Sequence, residues 1–99
     1  MTSLDAAEQL RRELAQLNVP GDVRDGFGMA LVSVWVGLVV WCRPDGFWWR
    51  TGWEPERERA YDAWHPLPEP GRAARRVAFR YAELRRSHER PALTAGARP

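Results

Sequence analysis

The stretch from Gly26 to Trp53 constrains the fold most, because 28 consecutive positions hold five of the six tryptophans, three of them within Phe47-Trp48-Trp49-Arg50-Thr51-Gly52-Trp53. Valine and the aromatics suit a pleated, buried surface. Gly26, Gly28, Gly37 and Pro44-Asp45-Gly46 cut the run into pieces of strand length. The region reads as strands near 22–27, 29–35, 38–43 and 47–52. So much aromatic surface is hard to hide in 99 residues, and part of it is expected to meet a partner.

Pro44-Asp45-Gly46 is the clearest local signal. Proline presets the first turn position, aspartate suits the second, and glycine supplies a left-handed closing residue. A three-residue turn places Arg43 opposite Phe47, and the pairing continues as Cys42 with Trp48, Trp41 with Trp49, and Val40 with Arg50. One face then displays Val39, Trp41, Phe47 and Trp49. The other displays Leu38, Val40, Cys42 and Trp48. Both faces are largely apolar, so helices are expected over one and a subunit, a ligand or the loop after Trp53 over the other.

Helical periodicity flanks the strands. Ala7, Leu10, Leu14 and Leu17 fall on one stripe of a helix over 3–18, with Ser3 as N-cap, Asp5 at the positive end, and Asn18 and Pro20-Gly21 ending it. A second helix is predicted from Pro70 to His88, with Pro91 beyond its end. Its core face is Ala73, Ala74, Val77, Tyr81, Leu84 and His88, and Phe79 lies nearly opposite among Arg72, Arg75 and Arg86. Residues 54–69 read as a polar connection with a short edge strand around 59–64, and residues 91–99 as a disordered tail.

One domain over residues 1–90 follows from the length, and only roughly 60–65% of the unfolded chain's surface can be buried at this size. Charge is unevenly spread. Residues 1–25 carry three arginines against five acids, residues 26–69 four against six, and residues 70–90 seven against two; lysine is absent. The basic character is confined to the C-terminal helix, a candidate surface for an anionic partner. A composition rich in Arg, Ala, Pro and Trp suits a GC-rich genome.

Cys42 alone excludes an internal disulfide, and with only His65 and His88 beside it no metal centre is expected. No signal-peptide pattern opens the chain, and the cytoplasm is the expected location. The seventeen uncharged residues from Gly26 to Cys42 reach the lower limit for a bilayer span, with Trp35, Trp41, Trp48 and Trp49 as a possible belt. Dense β-branching, Gly37 and the hairpin signal favour buried strands instead.

Catalysis has little support. Ser33 and Cys42 lie in apolar strands without a base nearby, His65 precedes a proline, and Gly26-Phe-Gly28 lacks the third glycine and the helix of a phosphate loop. No catalytic residue, cofactor or metal is assigned. Nucleic-acid binding is suggested by an arginine-rich helix and exposed aromatics, but no RNP-like motif or helix-turn-helix accompanies them, and six acids share the tryptophan region.

Asp25-Gly-Phe-Gly-Met-Ala-Leu-Val-Ser-Val-Trp35, Leu38-Val-Val-Trp41, Trp48-Trp49-Arg-Thr-Gly52, Ala73-Ala-Arg-Arg-Val-Ala and Tyr81-Ala-Glu-Leu-Arg85 resemble small uncharacterised tryptophan-rich proteins of Streptomyces-type actinomycetes. The resemblance spans most of residues 3–88. It implies a cytoplasmic bacterial origin and transfers no functional residues.

The sequence therefore predicts an α+β domain: an N-terminal helix, an antiparallel meander of three to five strands, and a C-terminal helix, with both helices on one sheet face. Its expected role is non-enzymatic, as an interaction or regulatory module that forms a homodimer or binds a protein through Phe47, Trp48, Trp49, Trp53 and Trp64. The alternative is a small nucleic-acid-associated regulator using Arg72, Arg75, Arg76, Phe79, Arg80 and Arg86. A ligand pocket between sheet and helices is a third possibility.

Overall fold

A computed structural model describes residues 2–26 and 29–97, with only the backbone described at Trp53, Ala60 and residues 88–97. The elements run α1 (Ser3–Gln16), β1 (Asp22–Gly26), β2 (Met29–Trp35), β3 (Leu38–Arg43), β4 (Gly46–Glu54), β5 (Arg59–His65) and α2 (Pro70–Ala97). The five strands form one antiparallel meander in chain order. Both helices pack on the same sheet face and against each other, giving the α+β architecture expected from the sequence.

Thr2, not Ser3, caps α1. Its hydroxyl accepts from the Asp5 amide at 3.1 Å while the Asp5 carboxylate accepts from the Thr2 amide at 3.2 Å, closing a reciprocal box. These bonds, the backbone one first, hold the Asp5 carboxyl below its ordinary pKa. At the other end Asn18 takes a left-handed φ of 61° and the Val19 amide returns to the Leu14 carbonyl at 2.9 Å. That turn swings Leu17 out to solvent, and the buried stripe is Ala6, Ala7, Leu10 and Leu14.

Helix α2 buries Ala73, Ala74, Val77 and Tyr81, with Leu84 partly covered, as its periodicity predicts. The His88 side chain lies outside the described residues. The helical backbone continues through Pro91 to Ala97, past the end expected at His88 and into the segment expected to be disordered. Continuation forgoes the hydrogen bond that a residue other than proline would donate back to Ser87.

The β3–β4 hairpin departs from the expected register by one residue. Arg43 pairs with Gly46, Cys42 with Phe47, and Trp41 with Trp48, so the turn is the two-residue Pro44-Asp45. A one-residue change reverses every side chain on a strand. Phe47 and Trp49 therefore enter the core beneath the helices, at 0% and 2% exposure. Burial on this scale favours the observed register by about 1.5–3 kcal/mol for a large side chain. A second constraint is steric: a Cβ at Gly46 would overlap the Trp64 indole and stand 2.7 Å from the His65 carbonyl oxygen.

The helix-covered face carries Val32, Val40, Cys42, Phe47 and Trp49. Trp35, set off by a register shift after Ser33, meets Tyr81 of α2 edge-to-face with centroids 5.7 Å apart. The uncharged stretch read as a possible span forms β2 and β3, and among the described residues no helix is long and apolar enough to cross a membrane.

Candidate functional site

The face without helices has its own order. Registers across all five strands align Arg24, Leu31, Trp41, Trp48 and Trp64 in a single transverse row. Trp41 and Trp64 are 40% and 43% exposed, far more than rings of that size are in a core. Trp48 is half-buried between them, its ring centroid 6.3 Å from that of Trp64 at a tilt of 58°.

Local chemistry fixes the central ring. The Trp48 indole N–H donates to Asp45 Oδ1 at 3.2 Å, which binds it to the hairpin turn, and the Arg43 guanidinium lies over it, 5.8 Å from the centroid. Trp48 is thus held in place by the turn and by Arg43. A concavity of about 470 Å³ lies beside it, bounded by Val39, Trp41, Trp48 and the Arg50–Asp62 pair.

Charge on this face is balanced. Arg24 pairs with Asp22 at 3.0 Å and Arg50 with Asp62 at 3.8 Å, both exposed. Arg43 lies over the Trp48 ring whose indole donates to Asp45. Among the described residues this face therefore holds three arginines and three aspartates, with no net charge.

Of the five anchors expected from the sequence, the structure brings Trp48 and Trp64 together on this face. Phe47 and Trp49 are corrected to core residues by the hairpin register, and the Trp53 side chain lies outside the described residues. Trp41 was missed as an anchor, although its spacing from Val39 and Arg43 puts all three on one side of β3. Leu31 was missed because β2 is apolar on both faces.

The C-terminal arginines divide by role. Arg76, although exposed, reaches back to the sheet: it donates to the Trp64 carbonyl at 2.7 Å, meets His65 Nδ1 at 3.1 Å and lies 5.0 Å over the Trp49 ring. Accepting from a guanidinium makes Nδ1 the unprotonated nitrogen of His65, while Nε2 sits 3.0 Å from Glu69 Oε1 without hydrogen-bond alignment. Arg72 and Arg80 contact Glu69 and Glu83 at 3.4 and 3.6 Å. Arg75 and Arg86 are exposed and form no ion pair among the described residues, and Phe79 is 66% exposed beside them. Of the five arginines expected to present a basic surface, two, Arg75 and Arg86, have no ion pair among the described residues.

Two titratable groups outside the aromatic row have raised pKa values. Cys42 is buried, and burial pushes its thiol up to about 12, far from a thiolate at neutral pH. The Tyr61 hydroxyl donates to the Glu54 carboxylate, which raises its pKa. Among the described residues no three His, Cys, Asp or Glu side chains gather as a metal site would need. Comparison with protein-family models, curated proteins and solved structures returns no match.

Proposed function

We propose that this protein is a non-enzymatic interaction module of the actinobacterial cytoplasm that self-associates through the helix-free face of its sheet. The observation that carries the reading is the transverse row of Leu31, Trp41, Trp48 and Trp64 on a face no helix covers. Aromatic side chains held rigid at the centre of a patch supply a large share of association energy. The balanced charge is compatible with a second copy, since two like faces without net charge meet without net repulsion. Sheets pack face to face about 10 Å apart with interdigitated side chains, and the concavity beside Trp48 receives such a side chain.

Light scattering coupled to size exclusion, at low and high salt, tests the proposal. A dimer that persists at high salt supports it, because apolar burial is little screened. A monomer at both salts contradicts self-association and leaves a foreign protein as the occupant. The alternative, a nucleic-acid-associated regulator working through α2, requires association that weakens steeply with salt. Its supports are Arg75, Arg86 and the exposed Phe79.

A further inference from the structure

On the opposite side of the molecule from the aromatic row, a cleft of about 450 Å³ opens between α2 and strands β4 and β5. We propose that it binds a small organic anion, a carboxylate carried on an apolar chain. The size falls within the range of small-molecule sites, about 300–1,000 Å³. Its apolar wall is the Trp49 ring edge and Ala63, cross-strand partners on the helix-covered face. Phe79 contributes the outer lip, which gives a reason for a phenyl ring 66% exposed on an otherwise charged helix surface.

The polar lining is cationic. Arg75, Arg76 and Arg80 border the cleft against the single acid Glu83, a balance of +2. Arg76 is fixed by the Trp64 carbonyl, His65 and the Trp49 ring, so its charge is positioned in advance. Arg75 has no ion pair among the described residues. The Nε–H of Arg80 is buried with no acceptor among the described residues, while its Nη1 reaches Glu83 only at 3.6 Å. The Arg80 side chain is nonetheless 23% exposed and borders the cleft, so its guanidinium is open to a carboxylate there. Guanidinium groups pair with carboxylates through charge-assisted, often bidentate bonds. An apolar wall on one side and guanidiniums on the other select an amphiphile over a plain inorganic anion.

The test is a titration of the full-length protein with sodium octanoate, octanol and acetate, followed by nitrogen–proton correlation spectra that include arginine Nε–H and indole resonances. The expected result is saturable binding of octanoate with shifts at Arg80 Nε, the Trp49 indole and the Ala63 amide. Octanol and acetate bind at least about tenfold more weakly, and Arg80→Gln or Phe79→Ala weakens octanoate by a similar factor. Arg72→Gln, on the same helix but outside the cleft, leaves it unchanged. If Arg80→Gln fails to fold, Arg75→Gln gives the same readout. Absence of saturable shifts, equal binding of octanol, insensitivity to the arginine variants, or shifts centred on Trp41, Trp48 and Trp64 would each overturn the assignment.

Discussion

Trp48 and Trp64 are directly paired across β4 and β5, their ring centroids 6.3 Å apart on the face that neither helix covers. Their neighbour in sequence, Trp49, points the opposite way and is 2% exposed. Adjacent tryptophans on one strand therefore have different jobs, one at the surface and one in the core. Separating those jobs is the first use of the structure.

Replacing Trp49 by alanine should destabilise the protein by about 3–5 kcal/mol, the usual result of truncating a buried aromatic. Trp48→Ala should lower stability far less, since the ring is half-buried and its neighbours on that face are wet. Urea unfolding followed by circular dichroism compares the two. Equal losses would return Trp48 to the core and remove the basis for an interaction face.

Gly46 lies beneath the Trp64 indole, where a methyl group has no room. Gly46→Ala should force the ring or the turn to move and destabilise by more than about 1 kcal/mol. Gly37, at φ 78° in the β2–β3 turn, has open space around its Cα. Gly37→Ala should incur only the backbone penalty of the left-handed conformation, about 1–2 kcal/mol. Thermal melts of both variants, with indole chemical shifts as a second readout, distinguish ring displacement at Gly46 from backbone strain alone at Gly37.

Much of the fold was legible before the structure, and the reasons are local. Strand boundaries near 22–27, 29–35 and 38–43 followed from glycine and proline punctuation, and the α2 core face followed from a 3.6-residue period carrying Ala73, Ala74, Val77 and Tyr81. The hairpin register was not legible. A three-residue turn and a two-residue turn are both compatible with Pro44-Asp45-Gly46, and the choice depends on whether Trp64 lies over Gly46, a contact between residues 18 positions apart. From that one choice the whole of β4 reverses, which puts Phe47 and Trp49 in the core and aligns Trp48 with Trp41 on the other face. Arg76 shows the same limit: nothing in its helical position distinguishes it from Arg75, and only the nearness of Trp49, Trp64 and His65 sets it apart.

Arg76 should matter more to stability than Arg86. Arg76→Ala removes a charged hydrogen bond to the Trp64 carbonyl and the contact with the Trp49 ring, an effect of about 1 kcal/mol for a bond this exposed. Exposed Arg86→Ala should stay within about 0.5 kcal/mol. Chemical denaturation of the two variants checks the ranking, and equal stability would contradict a stabilising role for Arg76.

Cys42 offers a pH test. Its thiol is raised in the folded state from an ordinary value of 9.0 to about 12 by burial, so above pH 9 the folded protein retains a proton that the unfolded chain releases. The contribution of this group is intact below pH 9 and declines as pH rises from 9 towards 12, with a slope of at most about 1.4 kcal/mol per unit. Wild type should lose stability over that interval faster than Cys42→Ala. Parallel pH dependence in the two proteins would show the thiol to be accessible in the fold.

The central claim is that the row of Trp41, Trp48 and Trp64 joins two copies of the chain. Sedimentation equilibrium of wild type and of Trp41→Ser/Trp48→Ser, at one salt and over a range of concentrations, tests it most directly, with circular dichroism confirming that both proteins are folded. The account predicts a wild-type dimer and a folded, monomeric double variant, the loss being at least about 2 kcal/mol of association free energy, or roughly thirtyfold in Kd. A double variant that is folded and dimerises as tightly as wild type would contradict the account and place the contact elsewhere on the molecule.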